Sequence, residues 1–297
     1  MTEYPQIASP IRTQAILNRY HLSAKKSLGQ NFLTDLGVLD NIVKAAEITK
    51  EDNVIEIGPG IGGLTEQLAK AANKVIAFEI DANLLPVLDE TLAPYDNIKI
   101  INQDILKANL PKIIGEEFDS SKPLKVVANL PYYITTPIVM DLIAGETVFN
   151  AIVVMMQKEV AERLNANPST KPYGSLSVIV QELNHVEISF VVPKTAFIPQ
   201  PKVDSAIVKL TPRLITRSNP LIRRLLSVLS ADALCISEKT LWNNLQGVFF
   251  GKTPEIKAAI KEVLAAVDID AGVRPESLTV AQFVSMANAF HTLKNLI

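Results

Sequence analysis

Five short apolar runs, most of them rich in β-branched residues, recur along the first half of the chain. They are NVIEI (53–57), KVIAFEI (74–80), IKIIN (98–102), LKVVAN (124–129) and AIVVMM (151–156). Their apolar positions are nearly continuous rather than alternating, which is typical of strands that are covered on both faces of a sheet. We therefore predict five buried strands.

Segments with helical periodicity separate these runs. We predict helices over 62–73 and 82–94, and an amphipathic helix over 34–48 ahead of the first strand. The order strand, helix, strand at this spacing indicates βαβ units, which build a mainly parallel sheet. The fold class predicted for this part of the chain is α/β.

The pattern changes after residue 157. Residues 158–166 and 175–184 have helical character, whereas 185–192 and 204–210 are predicted strands that close the sheet as an antiparallel pair.

A break in the pattern follows these two strands, and from residue 221 onward the chain is helix-like with no clear strand. We therefore predict two domains, an α/β domain over 1–212 and a small all-helical domain over 213–297.

Composition narrows the class of protein. The chain has 297 residues, is 48% hydrophobic and has a single cysteine, Cys235, so it cannot form an intrachain disulfide. Three scattered histidines and one thiol make no zinc-type ligand cluster. We expect a cytoplasmic protein, because a lone cysteine fits a reducing cytosol and the chain has neither a long apolar run for a membrane span nor a secretory signal pattern. The expected oligomeric state is a monomer.

A glycine-rich turn follows the first strand. Gly58, Gly60 and Gly63 match G-x-G-x-x-G, and Glu79 ends the second strand, where a carboxylate can accept both ribose hydroxyls of an adenosine. A nicotinamide dinucleotide and S-adenosyl-L-methionine fit this pattern equally. Pro59 favours the second cofactor, because it removes a backbone N–H that a pyrophosphate would use.

Asp104 follows the third strand and is the second candidate acid. It can accept a hydrogen bond from an adenine amino group, but it can equally cap a helix, and Glu79 can equally be a solvated strand end. Two acids at consecutive strand ends beside a glycine turn favour a ligand site, because ligands collect at the carboxyl ends of parallel strands.

The segment NLPYYITTP (129–137) follows the fourth strand. Pro131 restrains Leu130, so that the Asn129 amide oxygen and the Leu130 carbonyl form two neighbouring acceptors. Two acceptors suit an exocyclic amino group, and Tyr132 offers a flat face for a purine. Phe197 in FIPQPKVDS is predicted to lie in a stiff loop and to clamp the base from the other side, unless it is an ordinary core residue.

These residues resemble the ribosomal RNA adenine N6,N6-dimethyltransferase family of bacterial enzymes that act on small-subunit rRNA. The resemblance covers nearly the whole chain and rests on seven ordered motifs: KKSLGQNFLTD (25–35), EIGPGIGGLT (56–65), FEID (78–81), QDIL (103–106), NLPYYITTP (129–137), YGSLSV (173–178) and FIPQPKVDSAIVKL (197–210). It implies a Rossmann-like class I methyltransferase sheet with a small helical domain.

The resemblance also implies roles for individual residues. Those implied to contact S-adenosyl-L-methionine are Asn31, Leu33, Gly58, Glu79, Asp104 and Asn129, and those implied to hold the target base are Tyr132 and Phe197. The implied reaction is dimethylation of two adjacent adenines in the 3′-terminal hairpin loop of 16S rRNA, during assembly of the small subunit. The alternatives are a large-subunit (23S) rRNA methylase of the macrolide-resistance type and a non-catalytic RNA-binding assembly factor. A dinucleotide-dependent oxidoreductase is a remote alternative, because that function would give no role to the segment from Asn129 to Tyr132.

One segment departs from the family pattern. Before KTLWNNL (239–245) the family commonly has a phenylalanine and a pair of arginines, where this chain has Leu234, Ser237 and Glu238. The net charge is also only −2. Fewer cations weaken attraction to phosphates, so we expect this segment to contribute less to RNA affinity, although Arg223 and Arg224 lie just upstream.

Overall fold

The computed structural model of the chain describes residues 5–22, 25, 29–213, 240–248 and 253–292. The chain divides into two compact units. The first comprises Met1–Ala161 and Glu187–Pro212, and the second comprises Glu162–Val186 and Arg213–Ile297.

The strands fall into two sheets. They are β1 (Phe32–Leu33), β2 (Asn53–Ile57), β3 (Lys74–Glu79), β4 (Ile98–Asn102), β5 (Leu124–Asn129), β6 (Ala151–Gln157), β7 (Asn184–Val192), β8 (Phe197–Ile198) and β9 (Ser205–Pro212). Within the described part of the chain, seven of them form the order β4-β3-β2-β5-β6-β9-β7, and β1 pairs with β8.

The helices of the described ranges connect these strands or follow them. They are α1 (Pro10–Arg19), α2 (Leu36–Ala45), α3 (Gly63–Ala71), α4 (Leu85–Thr91), α5 (Leu110–Glu117), α6 (Thr135–Ala144), α7 (Lys158–Leu164), α8 (Ser175–Leu183), α9 (Leu241–Val248), α10 (Pro254–Ala266) and α11 (Val280–Thr292). The five predicted central strands and the predicted helices are therefore present, with ends that differ by a few residues.

The large sheet is mainly parallel, as the continuous apolar runs predict. β4, β3, β2, β5 and β6 pair in parallel, and β9 pairs with β6 in the antiparallel direction. Strand order reverses at β2, because the chain runs outward through β3 and β4 and then returns to pair β5 on the other side of β2. Such a reversal opens a crevice at the carboxyl ends of the strands. The fold therefore places the ends of β2 and β5 side by side.

Helices cover both faces of this sheet. On one face Val54, Val75 and Val127 pack with residues of α2 and α3, including Leu39 and Leu68, and all five are fully buried. A second cluster on the same face packs against β4 at Ile98 and Ile100, and it includes Leu17 of α1, Leu84 just before α4, Leu88 of α4, Phe32 of β1 and Ile61. All five positions of β2 are buried, so the centre of the sheet is covered on its other face as well. Burial on both faces accounts for the apolar character of the strands.

One expectation about the late strands is wrong. The sequence predicts Phe197 in a loop, whereas Phe197–Ile198 forms β8, which pairs antiparallel with Phe32–Leu33. Backbone pairing with a segment about 165 positions earlier leaves no mark on hydrophobic periodicity, because each strand has only two residues. The pairing joins the FIPQP segment to the segment after Asn31.

The second unit has its own apolar core. Phe283, Met286 and Phe290 of α11 pack with Ile260 of α10, and Val178 of α8 belongs to the same cluster. The sequence places residues 162–186 in the domain 1–212, but their packing groups them with this unit. The domain boundaries inferred from sequence stay a prediction.

Several residues discussed above lie outside the described ranges. They are Lys26, Arg223, Arg224, Leu234, Cys235, Ser237 and Glu238. In the part of the chain that is described, no helix has both the length and the apolar character needed to cross a membrane.

Candidate active site

One cavity at the carboxyl ends of the parallel strands brings the candidate residues together. Its lining includes all nine of them: Asn31, Leu33, Gly58, Glu79, Asp104, Asn129, Leu130, Tyr132 and Phe197. They come from separate segments of the chain. The roles assigned to these residues stay predictions, but their convergence on one cavity is a property of the fold.

The glycine turn forms one wall of the cavity. Gly58 and Gly60 have φ angles of 73° and 60°, in the left-handed region that favours glycine. The N–H of Gly58 donates to the carbonyl oxygen of Phe78 at 2.9 Å, which joins the turn to the end of β3. A Cβ atom on Gly58 would meet nothing closer than the Asn129 carbonyl oxygen at 3.9 Å. The absence of that side chain keeps the space between β2 and β5 open.

Glu79 stands at the end of β3 and is only 3% exposed. Its Oε1 accepts the N–H of Asp81 at 2.7 Å, and its Oε2 accepts the N–H of Gly60 at 3.4 Å. Burial raises the pKa of the Glu79 carboxyl, and these backbone donors partly oppose the rise. The carboxyl is therefore fixed in place at the cavity wall, and its two oxygens keep acceptor capacity beyond these backbone donors.

Asp104 caps a short helical turn, which is the alternative role that the sequence allowed, and it also faces the cavity. Its Oδ1 accepts the N–H of Leu106 at 3.1 Å, so it caps the short 3-10 turn Ile105–Lys107. Its Oδ2 lies 3.9 Å from Nζ of Lys107. The side chain is half-buried and still lines the cavity, so capping and ligand contact are compatible.

The segment ahead of β1 covers the cavity next to Asn129. Leu33 is buried in the β1–β8 pair, and Asn31 donates from Nδ2 to the carbonyl oxygen of Gly29 at 3.1 Å. Nδ2 of Asn129 in turn donates to the carbonyl oxygen of Asn31 at 3.5 Å. This long contact involves only the nitrogen of the Asn129 carboxamide. Within the described residues, Oδ1 of Asn129 accepts no hydrogen bond.

A hydrogen bond to a strand of the large sheet holds the Tyr132 side chain. It begins the 3-10 turn Tyr132–Ile134, and its hydroxyl shares a hydrogen bond of 2.7 Å with the hydroxyl of Ser205, the first residue of β9. Burial raises the pKa of Tyr132, which therefore stays neutral at physiological pH. Phe197 is 4% exposed and belongs to a buried apolar cluster with Leu33 and Ile207, as the core alternative predicts, and it also lines the cavity.

Two features of the site, one in the cavity lining and one behind it, were not identified from sequence. Glu56 lies within β2, is 1% exposed and lines the cavity, and its Oε2 has no hydrogen-bond partner among the described residues. Burial raises the pKa of Glu56 to about 8, and the Thr65 hydroxyl opposes the rise only in part. The signal was a single acid inside an otherwise apolar strand. Ser205 belongs to the motif FIPQPKVDS, but the sequence alone assigned it no role.

Comparison with known proteins places the chain in a family. The model of a family described as "Ribosomal RNA adenine dimethylase" matches residues 21–291. The chain belongs to the ribosomal RNA adenine dimethylase family. The family and the class of enzyme inferred from the seven motifs are thereby confirmed.

Curated members of the rRNA adenine dimethylase family match along nearly their whole length. A protein of Levilactobacillus brevis named "Ribosomal RNA small subunit methyltransferase A" is 61% identical over 289 residues, which is 97% of each chain. A protein of Enterococcus faecalis with the same name is 49% identical over 294 residues, 99% of each chain.

Solved structures support the same membership. A dimethyladenosine transferase from Plasmodium falciparum is 29% identical with a TM-score of 0.74, and the match covers 87% of this chain and 96% of that one. The 23S rRNA methyltransferase ErmE is 26% identical with a TM-score of 0.65, covering 88% and 100%. The predicted methyltransferase fold of this rRNA adenine dimethylase is confirmed.

Proposed function

We propose that this protein uses S-adenosyl-L-methionine to dimethylate N6 of two adjacent adenines in the 3′-terminal hairpin loop of 16S rRNA. One observation carries the proposal. A glycine turn and two strand-end acids line the same cavity as an asparagine amide and two aromatic rings. The first group suits an adenosine-containing cofactor and the second suits a base with an amino group.

The cofactor residues fit S-adenosyl-L-methionine. The left-handed turn at Gly58 and Gly60 lets a ligand approach the backbone closely, and Pro59 lacks the N–H that a pyrophosphate would use. Glu79 has acceptor capacity for the ribose hydroxyls, and Asp104 for the adenine amino group. When bound, this cofactor supplies a methyl group made electrophilic by a positively charged sulfur.

Asn129 and Leu130 act on the nitrogen that receives the methyl group. An adenine N6 is a weak nucleophile, because its lone pair is delocalised into the ring. Oδ1 of Asn129 and the carbonyl oxygen of Leu130 accept the two N6 hydrogens, which localises the lone pair on nitrogen. Catalysis is then mainly positioning and electrostatic stabilisation. After transfer N6 is cationic and acidic, so its proton leaves to water without a strong general base.

Tyr132 and Phe197 hold the base during transfer. An adenine in a hairpin loop must leave its stack to reach a buried methyl donor, which costs a few kcal/mol. Two aromatic rings at the cavity replace the lost stacking, and the Ser205 hydroxyl and the β1–β8 pairing restrain them.

The small subunit is the favoured source of the RNA. The relatives named for the small subunit are 49–61% identical over almost the full chain in the two comparisons above, against 26% for the 23S rRNA enzyme. The cytoplasmic location and the monomeric state stay predictions.

A methylation assay tests this proposal. The purified protein is incubated with labelled S-adenosyl-L-methionine and under-methylated small subunits, large-subunit rRNA, or buffer alone, and the modified adenines are mapped. We expect paired dimethyladenines in the small-subunit hairpin. Label confined to large-subunit rRNA would favour the macrolide-resistance type of enzyme, and cofactor binding without transfer would favour a non-catalytic assembly factor.

A further inference from the structure

The second tyrosine of NLPYY has no role in the reaction described above. Tyr133 lines the cavity, yet 57% of it is exposed, which is unusual for a large aromatic residue next to a buried site. Its neighbour Tyr132 is half-buried and bonded to Ser205. Successive residues of a 3-10 turn project in different directions, about a third of a turn apart. The two rings therefore occupy different parts of the cavity.

Close packing against Gly29 restrains the Tyr133 ring. Gly29 has a φ angle of 59°, and a Cβ atom built on it would lie 3.3 Å from Cδ1 of Tyr133 and 3.4 Å from Cβ of Pro131. Only glycine lets the backbone come this near. The ring thus rests against the backbone of Gly29, and more than half of the residue's surface is exposed. A restrained aromatic ring of this kind binds flat ligands at little cost in side-chain entropy.

The chemistry of the reaction suggests what binds there. Extruding one nucleotide from a loop leaves the face of the next base without its stacking partner. An exposed aromatic ring at the entrance of the cavity can cover that face. We propose that Tyr133 forms a second base subsite, which stacks on the nucleobase next to the adenine being methylated. This inference rests on the proposed function, because it requires an RNA substrate.

Stacking at this subsite would add affinity for the RNA but would not select one particular base. Every nucleobase has a π face, so stacking tolerates any base and depends little on hydrogen bonds. The neighbouring adenine of the proposed substrate is the base that fits, since it adjoins the target and is itself methylated in a separate event. The ring, not the hydroxyl, is the group that matters.

Two substitutions of Tyr133 test the subsite on under-methylated small subunits. Tyr133→Ala removes the ring and should raise KM for the subunits about 5- to 100-fold, the range expected for loss of one base–aromatic stack. Most of the change should fall on KM rather than on kcat. Tyr133→Phe keeps the ring and should restore KM to within about twofold of the wild-type value.

A matched control lies near the opposite end of the parallel strands. Val148 is 51% exposed, precedes the amino end of β6 and is not part of the cavity lining. Val148→Ala should leave KM unchanged. The affinity of each variant for S-adenosyl-L-homocysteine and its Tm are measured in parallel.

The outcomes separate this inference from the proposed function. If the wild-type protein methylates small subunits and Tyr133→Ala has the same KM, the subsite does not exist although the proposed function holds. If Tyr133→Ala weakens S-adenosyl-L-homocysteine binding as much as it raises KM, the ring only supports the segment at Gly29, and the inference is overturned. If the wild-type protein does not methylate small subunits, the proposed function itself fails.

Discussion

The two halves of the cavity differ in how far their functional groups already have partners within the protein. The cofactor half comprises lining residues at or after the ends of β2, β3 and β4, namely Glu56, Gly58, Gly60, Glu79 and Asp104. The base half comprises lining residues at or after the end of β5 and in the FIPQP segment, namely Asn129, Leu130, Tyr132, Tyr133 and Phe197. In the cofactor half, Glu79 and Asp104 already accept backbone N–H groups. In the base half, the Asn129 carboxamide makes one contact of 3.5 Å and Tyr133 is largely exposed.

This difference indicates which side chains contribute to the stability of the fold and which are available for the reaction. Groups of the cofactor half satisfy turns and strand ends, so the fold itself orders them before any ligand binds. In the base half, Asn129 and Tyr133 keep an acceptor and a ring face open, so their hydrogen-bonding and stacking capacity remains for the substrate. Leu130 and Phe197, in contrast, are buried. Substitutions in the cofactor half should therefore affect folding and binding together, whereas those at Asn129 and Tyr133 should affect the reaction with RNA and leave folding intact.

The largest expected effect is on Asn129. Asn129→Ala removes an acceptor for N6 and should reduce kcat by about 100- to 1,000-fold, the loss typical of one preorganised polar group in a transition state. Tm should stay unchanged, because the wild-type side chain makes only one long contact. Methyl transfer to small subunits and thermal unfolding are both measured.

Asn109 provides the matched control. Its Oδ1 accepts the N–H of Lys112 at 3.1 Å and so caps α5, and it is not part of the cavity lining. Asn109→Ala should cost about 1 kcal/mol of stability and leave transfer intact. Near-normal turnover in Asn129→Ala would remove its proposed role.

Glu56 sharpens the comparison, because it is the buried acid of the cofactor half that lacks a full set of partners. Its pKa is about 8 in the folded protein, against a usual value of 4.5, because burial disfavours the charged form. The folded state therefore binds more protons than the unfolded state between these values. The resulting stabilisation is complete below pH 4.5 and is lost as the pH rises through 8.

Glu56→Gln tests this linkage, since glutamine is neutral at every pH. The difference in free energy of unfolding between the wild type and the variant should move in favour of the variant by several kcal/mol between about pH 5 and pH 9. Denaturant unfolding at a series of pH values measures it. A difference that stays constant with pH would show that the Glu56 carboxyl is already ionised in the folded protein.

Much of the cofactor half could be predicted from the sequence. The glycine turn is contiguous, Glu79 lies at the end of one predicted strand and Asp104 follows the next, so the rule that parallel strands end at one edge of the sheet is enough to bring them together. Glu56 was missed, because a lone acid in an apolar run does not by itself show which way its side chain is buried.

The base half could be predicted only in part. Asn129 and Tyr132 sit in one motif at a strand end, but the positions of their partners depend on long-range contacts. Ser205 is 73 residues from Tyr132, and β8 pairs with a two-residue strand near the N-terminus. Periodicity reports local structure, so it cannot reveal these pairs. For the same reason it identified α8 as a helix without showing that α8 packs in the second unit.

Glu79 should show the combined effect expected of the cofactor half. Glu79→Ala removes an acceptor for two backbone N–H groups and, under the proposed function, for the ribose of the cofactor. We expect affinity for S-adenosyl-L-homocysteine to fall about 10- to 100-fold, in line with the loss of hydrogen bonds to a charged group, together with a lower Tm. Calorimetric titration and thermal unfolding measure the two effects. A variant with normal Tm but no ligand binding would mean that Glu79 is not needed to order the turn at Gly60.

The smallest effect is expected at Ser205, which restrains the base half without meeting the substrate. Ser205 is fully buried, and its hydroxyl shares a hydrogen bond of 2.7 Å with Tyr132. Ser205→Ala should raise KM for small subunits about fivefold, because a net hydrogen bond contributes about 1 kcal/mol, while kcat changes little. Tyr132→Phe removes the same bond from the other side and should match it. If the double variant were no worse than either single one, the bond would act by orienting the ring; additive losses would instead mean that the two hydroxyls contribute independently, and Ser205 would then have no positioning role.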